Sequence, residues 1–251
     1  MSIVEVKNLV KRYGDSEVVR GISFSVEKGE VFGILGPNGA GKTTTLEMIE
    51  TLRTIDDGTV AVDGLDVASQ PNEVKMVIGV QRQSSAFLDR LTLVEQLEMF
   101  AAMYGEKINP LEILASVQLE DKSKSYVERL SGGQKQRFSI ATALVHTPKV
   151  LFLDEPTTGL DPQARRNLWE LIENLKKQKL TIVITTHYMD EAEILCDRLA
   201  VMDNGKIIAL DTPKNLVNAL LKRGFTKKQE VRAATLEDVF IDLTGKELRE
   251  K

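Results

Sequence analysis

The sequence contains a single cysteine, Cys196. An internal disulfide is therefore impossible, and a reducing compartment is expected. With no second Cys and no His beside it, Cys196 reads as a small core residue rather than a reactive thiol. No uninterrupted apolar run approaches the roughly 20 residues of a membrane-spanning helix. The opening Met1-Ser2-Ile3-Val4-Glu5-Val6 lacks the basic and apolar stretches of a signal peptide. The expectation is a protein made and kept in the cytosol, which reaches a membrane only through a partner. Positive charge is not in excess: 33 Lys and Arg stand against 37 Asp and Glu, a formal charge of −4. Bulk attraction to nucleic acid or anionic lipid is not expected. Internal repeats, low-complexity linkers and long heptad runs are also missing, as is the Asn-Lys-x-Asp signal of guanine recognition.

What is present is ordinary in bulk, with 42% hydrophobic and 28% charged residues over 251 positions, enough for a sizeable core. Ile22, Phe24 and Val26 alternate with Ser23 and Ser25, the period of a half-buried strand. After the Lys28-Gly29 turn, Val31-Phe32-Gly33-Ile34-Leu35 reads as a fully apolar strand. Val60-Ala61-Val62 ends at the turn Asp63-Gly64. The opening thus predicts a mixed sheet around one buried parallel strand. Residues from about Leu93 to Val127 read as helical, with Leu93, Leu97 and Phe100 near helical spacing. The strands Val150-Leu151-Phe152-Leu153 and Thr181-Ile182-Val183-Ile184 flank a helix whose Leu168, Leu171, Ile172 and Leu175 share one face. Strand, helix, strand implies a parallel sheet. Asn204-Gly205 between apolar pairs signals a hairpin.

Three stretches carry chemistry. Gly36-Pro37-Asn38-Gly39-Ala40-Gly41-Lys42-Thr43 matches G-x-x-x-x-G-K-[ST] and directly follows the apolar strand 31–35. Its glycines let backbone N–H groups crowd around phosphate oxygens, and the helix starting near Gly41 adds its positive end. Lys42 supplies a full charge to the β- and γ-phosphates, and Thr43 a hydroxyl for Mg²⁺; Thr44 completes the expected nucleotide-binding run. Asp154-Glu155 ends the strand 150–153, on the side of a parallel sheet that the P-loop shares. Asp154 would sit near Mg²⁺, and Glu155 would polarise the attacking water. In Leu130-Ser131-Gly132-Gly133-Gln134, Ser131 reads as an N-cap, with open backbone N–H groups at a helix start forming a second anion site.

Together with the downstream His187, these stretches resemble the ATP-binding cassette (ABC) ATPases in order and approximate spacing, over nearly the whole chain. The resemblance implies an α/β P-loop NTPase core with an antiparallel β subdomain and an inserted helical subdomain, roughly 84–148, in a single ATP-binding domain. It implies that Tyr13 stacks on adenine and that Gln83 reaches Mg²⁺ and the water, with Gln81 a rival for that role. It implies that Ser131, Gly133 and Gln134 meet the γ-phosphate held by an opposite subunit, that Gly159-Leu160-Asp161 contacts that subunit, and that His187 contacts the γ-phosphate. His146 has no motif around it and receives no role. The implied cofactors are ATP and Mg²⁺. The implied partners are a second copy or related ATP-binding subunit, and integral-membrane permease subunits as separate six-span chains, which would hold the protein peripherally on the inner face of the cell membrane. No nucleic acid is expected.

Ser84-Ser85-Ala86-Phe87-Leu88 places two apolar residues in a loop-like context, either a permease contact or a buried anchor for the insert. A short tail, roughly 212–251, includes Thr235 to Gly245, where Leu236, Val239, Phe240 and Leu243 share a helical face. This ending is similar to that of ABC ATPases serving ABC-2 type drug and polymer exporters, and too little chain follows the hairpin for the β-rich regulatory domain common in importers. A helix that merely seals the core would fit either direction. The alternative function is an ABC ATPase acting on DNA or ribosomes, whose usual coiled coils, zinc-binding cysteines or second cassette are missing here.

Overall fold

The computed structural model describes residues 1–82 and 87–225. The chain divides into two units, Met1–Leu216 and Val217–Lys251. Of the second, residues 217–225 are described, and they hold the last turns of a helix and a short extension. The expected helix 235–245 lies outside the described residues.

The chain opens on a long hairpin of β1 (Ser2–Tyr13) and β2 (Ser16–Glu27). β3 (Val31–Leu35) follows, and α1 (Lys42–Ile49) leaves its end. β4 (Asp57–Val62), β5 (Leu65–Asp66), α2 (Pro71–Val77) and β6 (Ile78–Gln81) come next. Helices α3 (Leu93–Met103), α4 (Pro110–Ser116) and α5 (Gly132–Ala143) lie between β6 and β7 (Val150–Asp154). The described residues continue with α6 (Pro162–Lys177), β8 (Thr181–Thr186), α7 (Met189–Leu195), β9 (Arg198–Asp203), β10 (Lys206–Asp211) and α8 (Pro213–Lys222).

These strands build two sheets. One is 4-stranded in the order β2-β1-β4-β5, all antiparallel; the other is 6-stranded in the order β10-β9-β3-β8-β7-β6. In the second sheet β9, β3, β8, β7 and β6 are parallel, and β10 pairs antiparallel with β9. The opening runs therefore serve different sheets: the expected single mixed sheet is replaced by an antiparallel layer around β1 and a parallel one around β3. The parallel strands are mostly apolar because both faces are covered, with their polar residues near the strand ends. Along β7, Leu151 and Leu153 join a core with α5 and α6, whereas Val150 and Phe152 join a second core with α1 and the antiparallel sheet. Cys196 fills space beside Gly33, where a Cβ would come within 2.6 Å of its Sγ, and burial pushes its thiol up to about 12.

The stretch from about Leu93 to Val127, read as helical, holds two α-helices and two 3₁₀ turns. Thr92 starts α3 with a capping box to Glu95. Gly105, at φ 74°, turns the chain after the cap residue Tyr104. Asn109 and Pro110 start α4, Gln118 turns left-handed at φ 57°, and two 3₁₀ turns follow. The hairpin at Asn204-Gly205 forms as expected, with both residues at positive φ, 45° and 76°, as a type I′ turn requires.

Candidate functional site

The site sits where the parallel strands end. β3 delivers Gly36, whose N–H donates to the Thr186 carbonyl of β8 at 3.3 Å. Residues 36–41 then loop back toward α1. A Cβ on Gly36 would meet the Met202 carbonyl oxygen at 2.2 Å, and one on Gly41, at φ 98°, the Val18 carbonyl oxygen at 2.8 Å. Only glycine fits either place, so the backbone itself forms the cradle. Gly39 stands at φ 79°, Ala40 is buried, and Pro37, Asn38 and Gly39 are exposed at the rim. No side chain caps α1, which leaves its first N–H groups directed at whatever enters the loop.

Lys42 is buried at 4% exposure and reaches back across the cradle. Its Nζ donates to the carbonyls of Gly36 at 2.9 Å and Pro37 at 3.2 Å, and lies 3.1 Å from Glu155 Oε1. Thr43 Oγ1 donates to Asp154 Oδ1 at 3.2 Å, and Thr185 Oγ1 donates to the same oxygen at 2.6 Å. Thr44 is half-buried in the first turn of α1. Asp154 and Thr185 face each other because β7 and β8 pair in parallel register there. Thr185 was not among the residues the sequence singled out; its position two residues before His187, at the end of an apolar strand, was the available signal.

Glu155 leaves β7 in the left-handed region at φ 46°, a costly conformation for a side chain with a Cβ. Its N–H is fixed by Thr185, through Oγ1 at 3.0 Å and the carbonyl at 3.2 Å. Its Oε2 lies 3.2 Å from His187 Nδ1, but off the hydrogen-bond line, so Nδ1 is buried without a partner. Burial works to raise the Glu155 carboxyl. The hydrogen bond and charge of Lys42, with His187 behind them, prevail and hold it below the usual carboxylate range. Asp154 goes the other way: burial raises it, and the Thr185 and Thr43 hydroxyls offset only part of that. Lys42, Thr43, Asp154, Glu155 and His187 are thus brought into one crevice.

The other candidates lie elsewhere. Tyr13 ends β1 and is 43% exposed, with the Arg53 guanidinium 5.3 Å and the Lys11 ammonium 5.7 Å from its ring centre. Arg53 is held there by Glu47, with Nε–Oε2 at 2.7 Å, a pairing that spacing along the chain does not reveal. Ser131 caps α5 and forms a reciprocal box with Gln134, at 2.9 and 3.3 Å. Gly133 fits closely against α6, since its Cβ would meet Ala164 Cβ at 2.8 Å, and Gly132 faces Leu160. Gly159 is at φ 77°, and Asp161 caps α6 by accepting from Ala164 N–H at 2.8 Å. Gln83 lies outside the described residues. Gln81 is fully buried at the end of β6, where it donates to the Arg82 carbonyl and leaves its own Oε1 unpartnered. His146 has a structural place: its ring stacks on Tyr104 at 3.9 Å, and Nε2 lies 2.9 Å from the Ile78 carbonyl.

A glycine cradle, a buried lysine and an acidic strand end on a parallel sheet define a P-loop nucleotide hydrolase. More narrowly, the chain belongs to the ABC transporter family, whose model matches residues 19–158. It is similar to the linearmycin resistance ATP-binding protein LnrL of Bacillus subtilis, at 41% identity over 87% of this chain and 72% of that protein. It is also similar to the Nod factor export ATP-binding protein I of Burkholderia orbicola, at 38% identity over 98% of each. Among solved structures, the ADP conformation of MJ1267, an ATP-binding cassette of an ABC transporter, superposes with TM-score 0.80 at 29% identity, over 89% of this chain and 96% of that one. The cassette cbiO1 from Clostridium perfringens, part of the ABC transporter complex cbiONQ, gives TM-score 0.78 at 28% identity, over 89% and 94%. The chain is therefore an ATP-binding, ATP-hydrolysing subunit of an ABC transporter, a class of subunit that works with membrane permease components. Among the described residues, no helix is long and apolar enough to cross a membrane.

Proposed function

We propose that this chain binds ATP with Mg²⁺ between two copies of itself, or itself and a related subunit, and that hydrolysis drives export of a cargo through a separate membrane permease. The observation that carries the hydrolytic part is the junction of Lys42, Glu155 and His187 at one oxygen pair. Lys42 now neutralises Glu155. Phosphate oxygens in the cradle would draw the ammonium to themselves, and Glu155 would lose the partner that keeps it weakly basic. It would then be free to orient water and take its proton, while His187 meets the γ-phosphate. The Thr43 hydroxyl and the Asp154 carboxylate are hard oxygen donors already in contact, which suits Mg²⁺ sharing its remaining positions with phosphate and water. Bound there, Mg²⁺ would offset charge on the transferring phosphoryl group. Gln83 is proposed as a further contact to Mg²⁺ and water.

Gly133 packs against α6, and Ser131 and Gln134 pair with each other at the start of α5, which supports their use on the ATP of an opposite subunit. Tyr13 offers a ring to adenine. Tyr13→Ala should weaken ATP and ADP alike by about 5- to 150-fold, from a stacking contribution of about 1–3 kcal/mol. Tyr13→Phe should bind as native, and calorimetry with both nucleotides checks this.

Residues 84–148 are proposed as the helical subdomain and 212–251 as a short tail. A groove of about 320 Å³ between the insert and the sheet, lined by Glu50, Leu52, Val80, Arg82, Phe100 and Tyr104, supports docking of a permease of separate six-span chains. That contact would place the protein on the inner face of the membrane. Phe87 is half-buried, its ring 5.2 Å from that of Phe138, which favours the anchor reading over direct permease contact; Leu88 is exposed. The names of the two curated relatives, linearmycin resistance and Nod factor export, favour export. The test is transport in inside-out vesicles holding the chain and its permease. ATP-driven accumulation of cargo inside them is expected. Uptake by whole cells that depends on an external solute-binding protein would overturn the direction.

A further inference from the structure

Behind the hydrolytic crevice lies a buried polar cluster that none of the roles above uses. Glu191, on α7, is 0% exposed. Its Oε1 accepts from Trp169 Nε1 of α6 at 3.1 Å. The hydroxyls of Thr186, which precedes His187, and of Thr157, in the loop after Glu155, face the same carboxyl. Thr157 is itself fully buried, and its Oγ1 falls short of a hydrogen bond, as does Glu191 Oε2. A second set of contacts joins the same two helices. The Arg165 guanidinium stacks 4.4 Å from the Tyr188 ring and lies 3.7 Å from Asp190, and the Tyr188 ring lies 4.2 Å from that of His187. The segment with His187 is thus clamped to the start of α6, and the loop 157–161 feeds directly into that helix.

A buried carboxyl is a poor choice for stability. Desolvation disfavours it, and an apolar side chain of similar volume would cost less. What such a group supplies is direction, because its acceptors fix where their donors stand. We infer that Glu191 is a positioning residue for hydrolysis: through Trp169 it sets the segment carrying His187 in register with α6 and the loop 157–161 that leads into it. This rests on the reading of His187 as a γ-phosphate contact. Movement of the loop in one subunit would then displace His187 through Trp169 and Glu191.

The test uses the full chain with MgATP and reads kcat, KM and the thermal midpoint for Glu191→Leu, Trp169→Phe, Glu191→Gln and His187→Ala. Glu191→Leu and Trp169→Phe should each lower kcat by about 10-fold, a coupling of ordinary size for residues that act through another. KM for ATP should stay within about twofold, as expected when only transition-state contacts are lost. Glu191→Leu strips the Trp169 N–H of its acceptor and should lower the midpoint somewhat, whereas the double variant Glu191→Leu with Trp169→Phe removes both partners, should hold the midpoint near native and should still lose about 10-fold in kcat. Glu191→Gln keeps an acceptor for Trp169 and should retain near-native kcat. Native kcat in Glu191→Leu, native kcat in the double variant, or equal damage from Gln and Leu would each overturn the inference. His187→Ala separates the two layers: native kcat there removes the reading of His187 itself, whereas a loss there with none in Glu191→Leu removes only the role of Glu191.

Discussion

Glu155→Gln is expected to bind ATP at least as tightly as the native chain and to release phosphate slower by on the order of 100- to 10,000-fold, the usual contribution of a general base. Glutamine keeps the size of the side chain and an oxygen for the 3.1 Å contact to Lys42. It cannot accept a proton from water. It also removes a negative charge from beside the site of the γ-phosphate, which is why affinity should not suffer. Before ATP enters, the Lys42 contact holds the native carboxyl below the usual carboxylate range, so the nucleotide meets it ionised. Single-turnover phosphate release and equilibrium ATP binding, measured on the same preparation, separate the two effects. Near-native turnover would remove Glu155 from the role of base.

Lys42→Ala should fail at the earlier step. The ammonium is 4% exposed and already spans the cradle from Gly36 to Glu155, so the charge is prepositioned for phosphate oxygens. Two charge-assisted contacts at about 1.5 kcal/mol each correspond to a loss of at least about 100-fold in ATP affinity. Its removal also leaves Glu155 half-buried without its cation, and that carboxylate would repel an incoming phosphate. The double variant Lys42→Ala with Glu155→Gln should therefore recover part of the lost affinity. Calorimetric titration of the three chains with ATP checks both statements, and unchanged affinity in Lys42→Ala would contradict them.

The parts of this site that lie close together in sequence could be read without coordinates. The strand Val31–Leu35 and the loop that follows form one local unit, and the residue types the phosphate cradle needs are consecutive there. The Asp154-Glu155 pair was legible because the strand before it is unbroken and apolar. The contact between Lys42 and Glu155 was not. It depends on β8 lying between β3 and β7 in a fixed parallel register, which no local pattern encodes. Arg53 over Tyr13 escaped too, since it lies past the end of α1 and is turned back onto Glu47 by the loop that follows the helix. β1 was missed because its alternation is broken: Asn8 turns to φ 48°, and the pairing with β2 slips between Val6 and Leu9. That slip shifts the buried positions out of period two. The stretch from about Leu93 to Val127 was read as helical without internal boundaries, although Gly105 stops one helix and Pro110 starts the next.

In the proposed assembly each chain holds half of each active site, with Lys42 and Glu155 on one copy and Ser131, Gly133 and Gln134 serving the other. Sedimentation of Glu155→Gln with ATP tests it directly, because this variant should hold the nucleotide without consuming it. The mass should double with ATP and remain that of a single chain with ADP, and adding Ser131→Arg should abolish the doubling by crowding the opposite phosphate. A mass that stays at one chain with saturating ATP, at high protein concentration, would contradict the account.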